Sequence, residues 1–162
     1  MARVHGAEMK RRSSHELSGL MAARLRHIAI SVPDPEKAAK FFEEAFGMQI
    51  AGPAGLGLYV TDGTISVALL KFPGDVPGFS PGYHGLIHFG MWVDDLDETA
   101  TKVVAAGGSY YMGRSDHNPN TYYEVKYKDP IGVVFDLTHT GWKGAVKEVV
   151  PAETAGVTDK PG

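Results

Sequence analysis

The stretch from Leu25 to Val32 (LRHIAISV) alternates apolar and polar positions as a half-buried strand does, with Leu25, Ile28, Ile30 and Val32 on the apolar side. Asp34 followed by Pro35 marks a helix start, because the Asp carboxylate can accept from the free amides of the first turn and Pro is tolerated at the first helical position. Ala38, Phe41, Phe42, Ala45 and Phe46 then recur at helical spacing and Gly47 supplies the stop, which predicts a helix over residues 35 to 46.

The same grammar returns downstream. Leu86 to Val93 (LIHFGMWV) reads as a strand, Asp95 as a cap, residues 96 to 106 as a helix and Gly107-Gly108 as its end. His88 lies 61 residues after His27, Asp95 lies 61 after Asp34 and Gly108 lies 61 after Gly47. Three element-marking positions at one offset indicate an internal repeat whose intervening residues have diverged.

Each helix is followed by strand-like segments. These are about 57 to 61 and 64 to 72 in the first half, joined by Asp62-Gly63, with Gln49 to Gly52 as the candidate for one more. In the second half they are about 109 to 112, 121 to 128 and 132 to 139, the last two joined by Asp129-Pro130-Ile131-Gly132. Residues 73 to 85, rich in Pro and Gly, read as the linker between halves. The expected fold is α+β: two paired βαβββ modules, about 24 to 72 and 86 to 142, forming one curved mixed sheet with helices on the outside.

Length and composition fit this picture. A chain of 162 residues with 43% apolar content supports one core, expected over residues 23 to 145. Residues 1 to 22 read as an N-terminal extension without a secretory apolar region, and Met21 directly before the first strand suggests an alternative start. Residues 146 to 162 are expected to be a flexible tail. The formal charge of −3, without a basic block in the patterned region, argues against nucleic acid. Absence of cysteine excludes disulfides, thiolate metal sites and a cysteine nucleophile. No apolar run approaches the roughly 20 residues that cross a bilayer, so a cytoplasmic location is expected. Gly52, Gly55 and Gly57 precede a strand, not a helix, and read as turn glycines, not as a phosphate loop.

Strand parity selects candidate chemistry, because alternate residues share a face. If Ile28, Ile30 and Val32 pack under the first helix, His27, Ala29 and Ser31 face the other way. Ile87, Phe89, Met91 and Val93 likewise send His88, Gly90 and Trp92 to that opposite face, and Val133, Phe135 and Leu137 send Asp136 there. Two imidazoles and a carboxylate suit iron, manganese or zinc and leave coordination positions open for substrate or oxygen. The plainer alternative makes each histidine an isolated sheet residue and Asp136 an edge charge. Against it, an Asp among Val133, Val134, Phe135 and Leu137 is costly to bury alone, and repeat-equivalent histidines are difficult to explain as packing.

A His on the first strand of each unit, then an Asp-Pro-x-Gly turn with an acid four residues beyond the Gly (DPIGVVFD), resembles the vicinal oxygen chelate superfamily over about residues 24 to 142. That superfamily includes glyoxalase I, ring-cleaving extradiol dioxygenases, fosfomycin-resistance proteins, methylmalonyl-CoA epimerase and bleomycin-resistance binding proteins. The resemblance implies a glyoxalase/dioxygenase-like fold, metal ligands at His27, His88 and Asp136, and a divalent metal, Fe(II) first and Mn(II) or Zn(II) as alternatives. It also implies a small-molecule substrate and, as in many relatives, a homodimer.

Three departures shape the expected reaction. The first-unit counterpart of Asp136 falls on Val67 or Ala68, neither of which binds metal, which argues against the four-ligand sites of glyoxalase I and the epimerase. The acid is Asp where relatives usually carry Glu. The tyrosine that dioxygenases and fosfomycin-type enzymes usually place three residues before the Asp-Pro turn is here Lys126, with Tyr127 one step on and facing the other way unless a bulge intervenes. A cationic Lys126 favours an anionic substrate group. Lys126, Glu124 and the loop residue His117 are the candidate proton carriers. Tyr122, Trp92, Tyr127 and His139 are candidate substrate contacts, with Trp142 at the cavity mouth.

The leading expectation is a metal-dependent dioxygenase acting on a small aromatic or enolic substrate. The alternatives are a glyoxalase-like lyase or isomerase, a thiol-transferase on the same scaffold, or a metal-free drug- or metabolite-binding protein.

Overall fold

The computed structural model describes residues 23–113 and 124–149. Strand β1 (Arg24–Ser31) leads into helix α1 (Pro35–Phe46) and strands β2 (Gln49–Ala54), β3 (Gly57–Thr61) and β4 (Ser66–Leu70). The order repeats as β5 (Gly85–Trp92), α2 (Leu96–Ala105), β6 (Ser109–Gly113), β7 (Val125–Lys128) and β8 (Val134–Thr138). The two helices start as the sequence predicts: the Asp34 carboxylate accepts from the Lys37 amide at 3.0 Å, and Asp95 accepts from Glu98 at 2.8 Å. Gly47, at φ 68°, takes the left-handed conformation that closes α1.

All eight strands form one sheet in the order β2-β3-β4-β1-β5-β8-β7-β6. β1 and β5 run antiparallel at its centre, while β4 and β8 flank them in parallel, so the modules are related by an approximate twofold axis between β1 and β5. The two helices carry the cores. Ala39 packs with Val60, Val67 and Leu69 in the first module, and Val93, Val125, Tyr127 and Leu137 form the core of the second, against Leu96 and Val103 of α2.

The register decides which residues can meet on the concave face. One row runs Thr61, Ser66, His27, Gly90, Asp136, Lys126 and Met112, each directly paired with the next across neighbouring strands. His88 is offset from that row, opposite Ala29. Each histidine thus faces a residue without a large side chain across the central pair, which leaves both rings room to tilt inward.

After β8 the chain turns back across the concave side of the first module. Thr61 donates its hydroxyl to the Gly144 carbonyl at 2.6 Å, and the Val146 amide donates to Thr64 at 3.2 Å. Arg26 holds the Val146 and Lys147 carbonyls at 2.6 and 3.1 Å. This strap carries Trp142, 3% exposed, onto His27: the rings stack at 4.7 Å with 9° between planes.

Gly90 makes that stacking possible, because a methyl group there would meet the Trp142 ring at 2.6 Å and His27 Cβ at 2.9 Å. Gly90→Ala is therefore expected to destabilise the protein by about 1 to 3 kcal/mol through overpacking. Urea unfolding followed by tryptophan fluorescence measures this, and a midpoint equal to that of the parent would contradict the close packing.

Candidate metal and ligand site

His27, His88 and Asp136 come together as their strand parity requires, with one potential ligand atom from each lying within 4.8 Å of the others. Asp136 has no solvent exposure and His27 is 3% exposed. The His88 Nε2 lies 3.1 Å from Asp136 Oδ2, and the two imidazole rings are 5.6 Å apart. Lys126, the cross-strand partner of Asp136, places Nζ 2.7 Å from both carboxylate oxygens and 3.5 Å from His88 Nε2.

The electrostatics follow from burial. Desolvation, reinforced by the charge of His88, pushes His27 from its usual 6.5 down to about 3, so its ring is neutral at physiological pH. Its Nδ1 is buried and hydrogen-bonded to nothing among the described residues. Burial opposes ionisation of Asp136, yet hydrogen bonds from His88 and Glu124 and the Lys126 charge outweigh it and hold the carboxyl below its usual range. Glu124 goes the other way, because burial, then its hydrogen bond to Asp136 and the Asp136 charge, push it up to about 8. Glu124 is thus protonated at neutral pH, while its Oε2 accepts from the Trp142 indole at 3.0 Å.

The donor set fits a divalent metal. Two imidazoles, one carrying a buried unpartnered nitrogen, and an ionised carboxylate supply deprotonated nitrogen and oxygen ligands. The first module supplies no acid: β1–β4 pairing sets Ala68 opposite Ala29, as β5–β8 pairing sets Asp136 opposite Gly90, so Ala68 is the counterpart of Asp136.

Beside the cluster lies a cavity of about 120 Å³ walled by Phe72, Val76, Phe79, Tyr111 and Met112, with His88 and Lys126 as polar groups in its lining. Three of those walls come from the stretch after β4. Residues 73 to 85, expected to act as a connector, also fold over the site, with Val76 3% exposed and Phe79 stacked on Tyr83 at 4.4 Å. The only signal for this in the sequence is the pair of apolar residues Val76 and Phe79 among prolines and glycines.

Other candidates sit elsewhere. Tyr127, expected among the substrate contacts, belongs to the core on the helix side, 8% exposed and stacked on Phe135 at 6.2 Å. Register without a bulge between β7 and β8 sends it away from the cluster. Trp92 supports the strap: its indole donates to the His139 carbonyl at 3.0 Å, and a methyl on Gly141 would meet its ring at 2.2 Å. His139 follows β8, at the start of that strap. His117 and Tyr122 lie outside the described residues. Trp142, expected at the mouth, lies at the centre, over His27.

Fold and site together define an eight-stranded module pair that presents two histidines and a carboxylate on one concave face. The family model for the glyoxalase/bleomycin resistance protein/dioxygenase superfamily matches residues 24–137, and the chain belongs to that superfamily. Among solved structures it is similar to the 2,3-dioxygenase LapB from Pseudomonas sp. KL28, with 18% identity and a TM-score of 0.57 over 83% of this chain and 48% of that one. It is also similar to the Mn(II)-bound glyoxalase from Novosphingobium aromaticivorans, with 17% identity and a TM-score of 0.56 over 80% of this chain and 44% of that one. Methylmalonyl-CoA epimerase from Streptomyces coelicolor aligns at 15% identity and a TM-score of 0.53, covering 70% of this chain and 94% of the epimerase. The chain thus spans under half of the first two and nearly all of the third. No curated protein sequence matches it. Among the described residues, no helix is long and apolar enough to cross a membrane.

The two shifted groups beside Asp136 give stability in the metal-free protein opposite pH dependences. A folded-state pKa below the unfolded one means that His27 adds stability as pH rises from about 3 to 6.5. A folded-state pKa above the unfolded one means that Glu124 loses stability as pH rises from 4.5 to about 8. Between pH 6.5 and 8 only the loss operates, so the melting temperature should fall there, and Glu124→Gln should flatten that limb. A fall of equal size in the variant would contradict the assignment.

Proposed function

We propose that this protein is a metal-dependent enzyme acting on a small aromatic or enolic compound with two adjacent oxygens, with ring-cleaving dioxygenation as the leading reaction. The observation that carries the reading is the convergence of His27, His88 and Asp136 within 4.8 Å beside an apolar cavity. Those three residues would hold the metal, Fe(II) first and Mn(II) or Zn(II) as alternatives. When bound, it would supply Lewis acidity that lowers the pKa of substrate hydroxyls, together with the capacity to engage dioxygen. Likeness to a 2,3-dioxygenase and to an Mn(II)-bound glyoxalase is compatible with both dioxygenase and lyase chemistry on this scaffold.

The chain's own groups then have distinct tasks. Phe72, Val76 and Phe79 exclude water and offer flat or apolar surface to a ring. Lys126 draws an anionic oxygen toward the cluster. Glu124 holds a proton next to Asp136 at neutral pH and can exchange it with a ligand oxygen. His117, Tyr122 and His139 remain proposed as a proton carrier, a wall and a mouth residue, in that order. The same reading takes the protein as a cytoplasmic homodimer.

A second reading, a metal-free binding protein, draws on the ion pair in which Lys126 occupies both oxygens of Asp136. Elemental analysis separates the two. The enzyme reading expects near-stoichiometric iron or manganese in the purified protein, lost in His88→Ala and Asp136→Ala, followed by oxygen uptake with catechols or enols. Absence of bound metal after anaerobic Fe(II) loading would put the binding protein ahead.

A further inference from the structure

The Lys126 ammonium lies where a bound cation would engage the cluster. It contacts both Asp136 oxygens at 2.7 Å and approaches His88 Nε2 at 3.5 Å, so it faces two of the three residues assigned to the metal. Asp136, with no exposure, needs a cation or hydrogen-bond donors at those oxygens. A divalent ion binding there must take over the oxygens that Lys126 now holds.

The position of Lys126 on β7 limits where its displaced ammonium can go. Its side chain also lines the 120 Å³ cavity, whose other lining residues, among those described, include no carboxylate. Glu124, the neighbouring acid, is engaged by Trp142 and Asp136. An ammonium moved into an apolar cavity without a counter-ion is strongly unfavourable, and an anionic group on the ligand would remove that cost.

We propose that Lys126 is a built-in occupant of the metal position, displaced by the divalent ion into the adjacent cavity, where it anchors the anionic group of the ligand. Metal and anionic ligand therefore bind with positive coupling, each raising the affinity of the other by the same factor. The inference rests on the metal-site reading above and adds to it a substrate class: aromatic compounds bearing a carboxylate or a phenolate oxygen.

The test is calorimetric titration of Mn(II) into the metal-free full-length protein, with and without excess benzoate, for the parent, Lys126→Met and Lys126→Arg. Benzoate should tighten Mn(II) binding to the parent by about tenfold, within the usual range of coupling between sites. Lys126→Met should bind Mn(II) about tenfold more tightly than the parent, because no ammonium competes for Asp136, and should lose the benzoate effect. Lys126→Arg keeps a cation on Asp136, spares the fold if the Met variant does not purify, and should bind Mn(II) no better than the parent while keeping a benzoate effect.

Equal Mn(II) affinity in the parent and Lys126→Met would overturn the proposal and leave the metal site standing. A benzoate effect of the same size in those two proteins would also overturn it, since benzoate would then be contacting the metal and not Lys126. If only the Arg variant purifies, absence of a benzoate effect in both it and the parent has the same force. Failure of all three proteins to bind Mn(II) would remove this proposal and the metal reading together.

Discussion

The structure depends on the cost of a carboxylate that solvent cannot reach. Asp136 stands on the concave face of β8, wholly buried, and its oxygens are held by Lys126 and His88, with Glu124 completing the shell. Those partners cannot be varied independently. Burial and the ionised Asp136 keep the proton on Glu124 although the Trp142 indole, which donates to its Oε2, favours the charged form, and Trp142 reaches it while lying over His27. A single buried charge thus extends its influence through β7, the strap after β8 and the first module's histidine.

Duplication explains how such a cluster arises and why it is lopsided. The twofold relation between β1 and β5 brings His27 and His88 together, but the paired positions on β4 and β8 have parted into Ala68 and Asp136. The first module contributes an uncharged ring, itself covered by the strap. The second contributes the ionisable groups and much of the cavity wall. The sheet accommodates such division, because strand pairing holds the row of positions while the side chains along it differ between the two modules.

Apolar periodicity placed both helices, the central strands and the concave face. Alternation along LRHIAISV and LIHFGMWV is local, so it survives any ambiguity about distant pairing, and it put both histidines and Asp136 on one side. Parity also sends the Tyr127 ring to the helix side unless a bulge intervenes, and the β7–β8 pairing has none. Spacing did not choose between Val67 and Ala68, because Ala68 follows Gly47 by 21 residues whereas Asp136 follows Gly108 by 28. Only strand pairing resolves the counterpart.

The sequence by itself determined the duplicated architecture and the facing of His27, His88 and Asp136, because these follow from a two-residue strand period and a 61-residue repeat, while the facing of Lys126 followed from the superfamily resemblance. Tertiary structure alone decided that Lys126 bonds Asp136, that Trp142 covers His27, that Glu124 stays protonated, and that Phe72, Val76 and Phe79 wall the cavity. These depend on the path of aperiodic segments and on burial. Neither has a signature within a few residues of chain, because each is set by contacts between segments far apart in sequence.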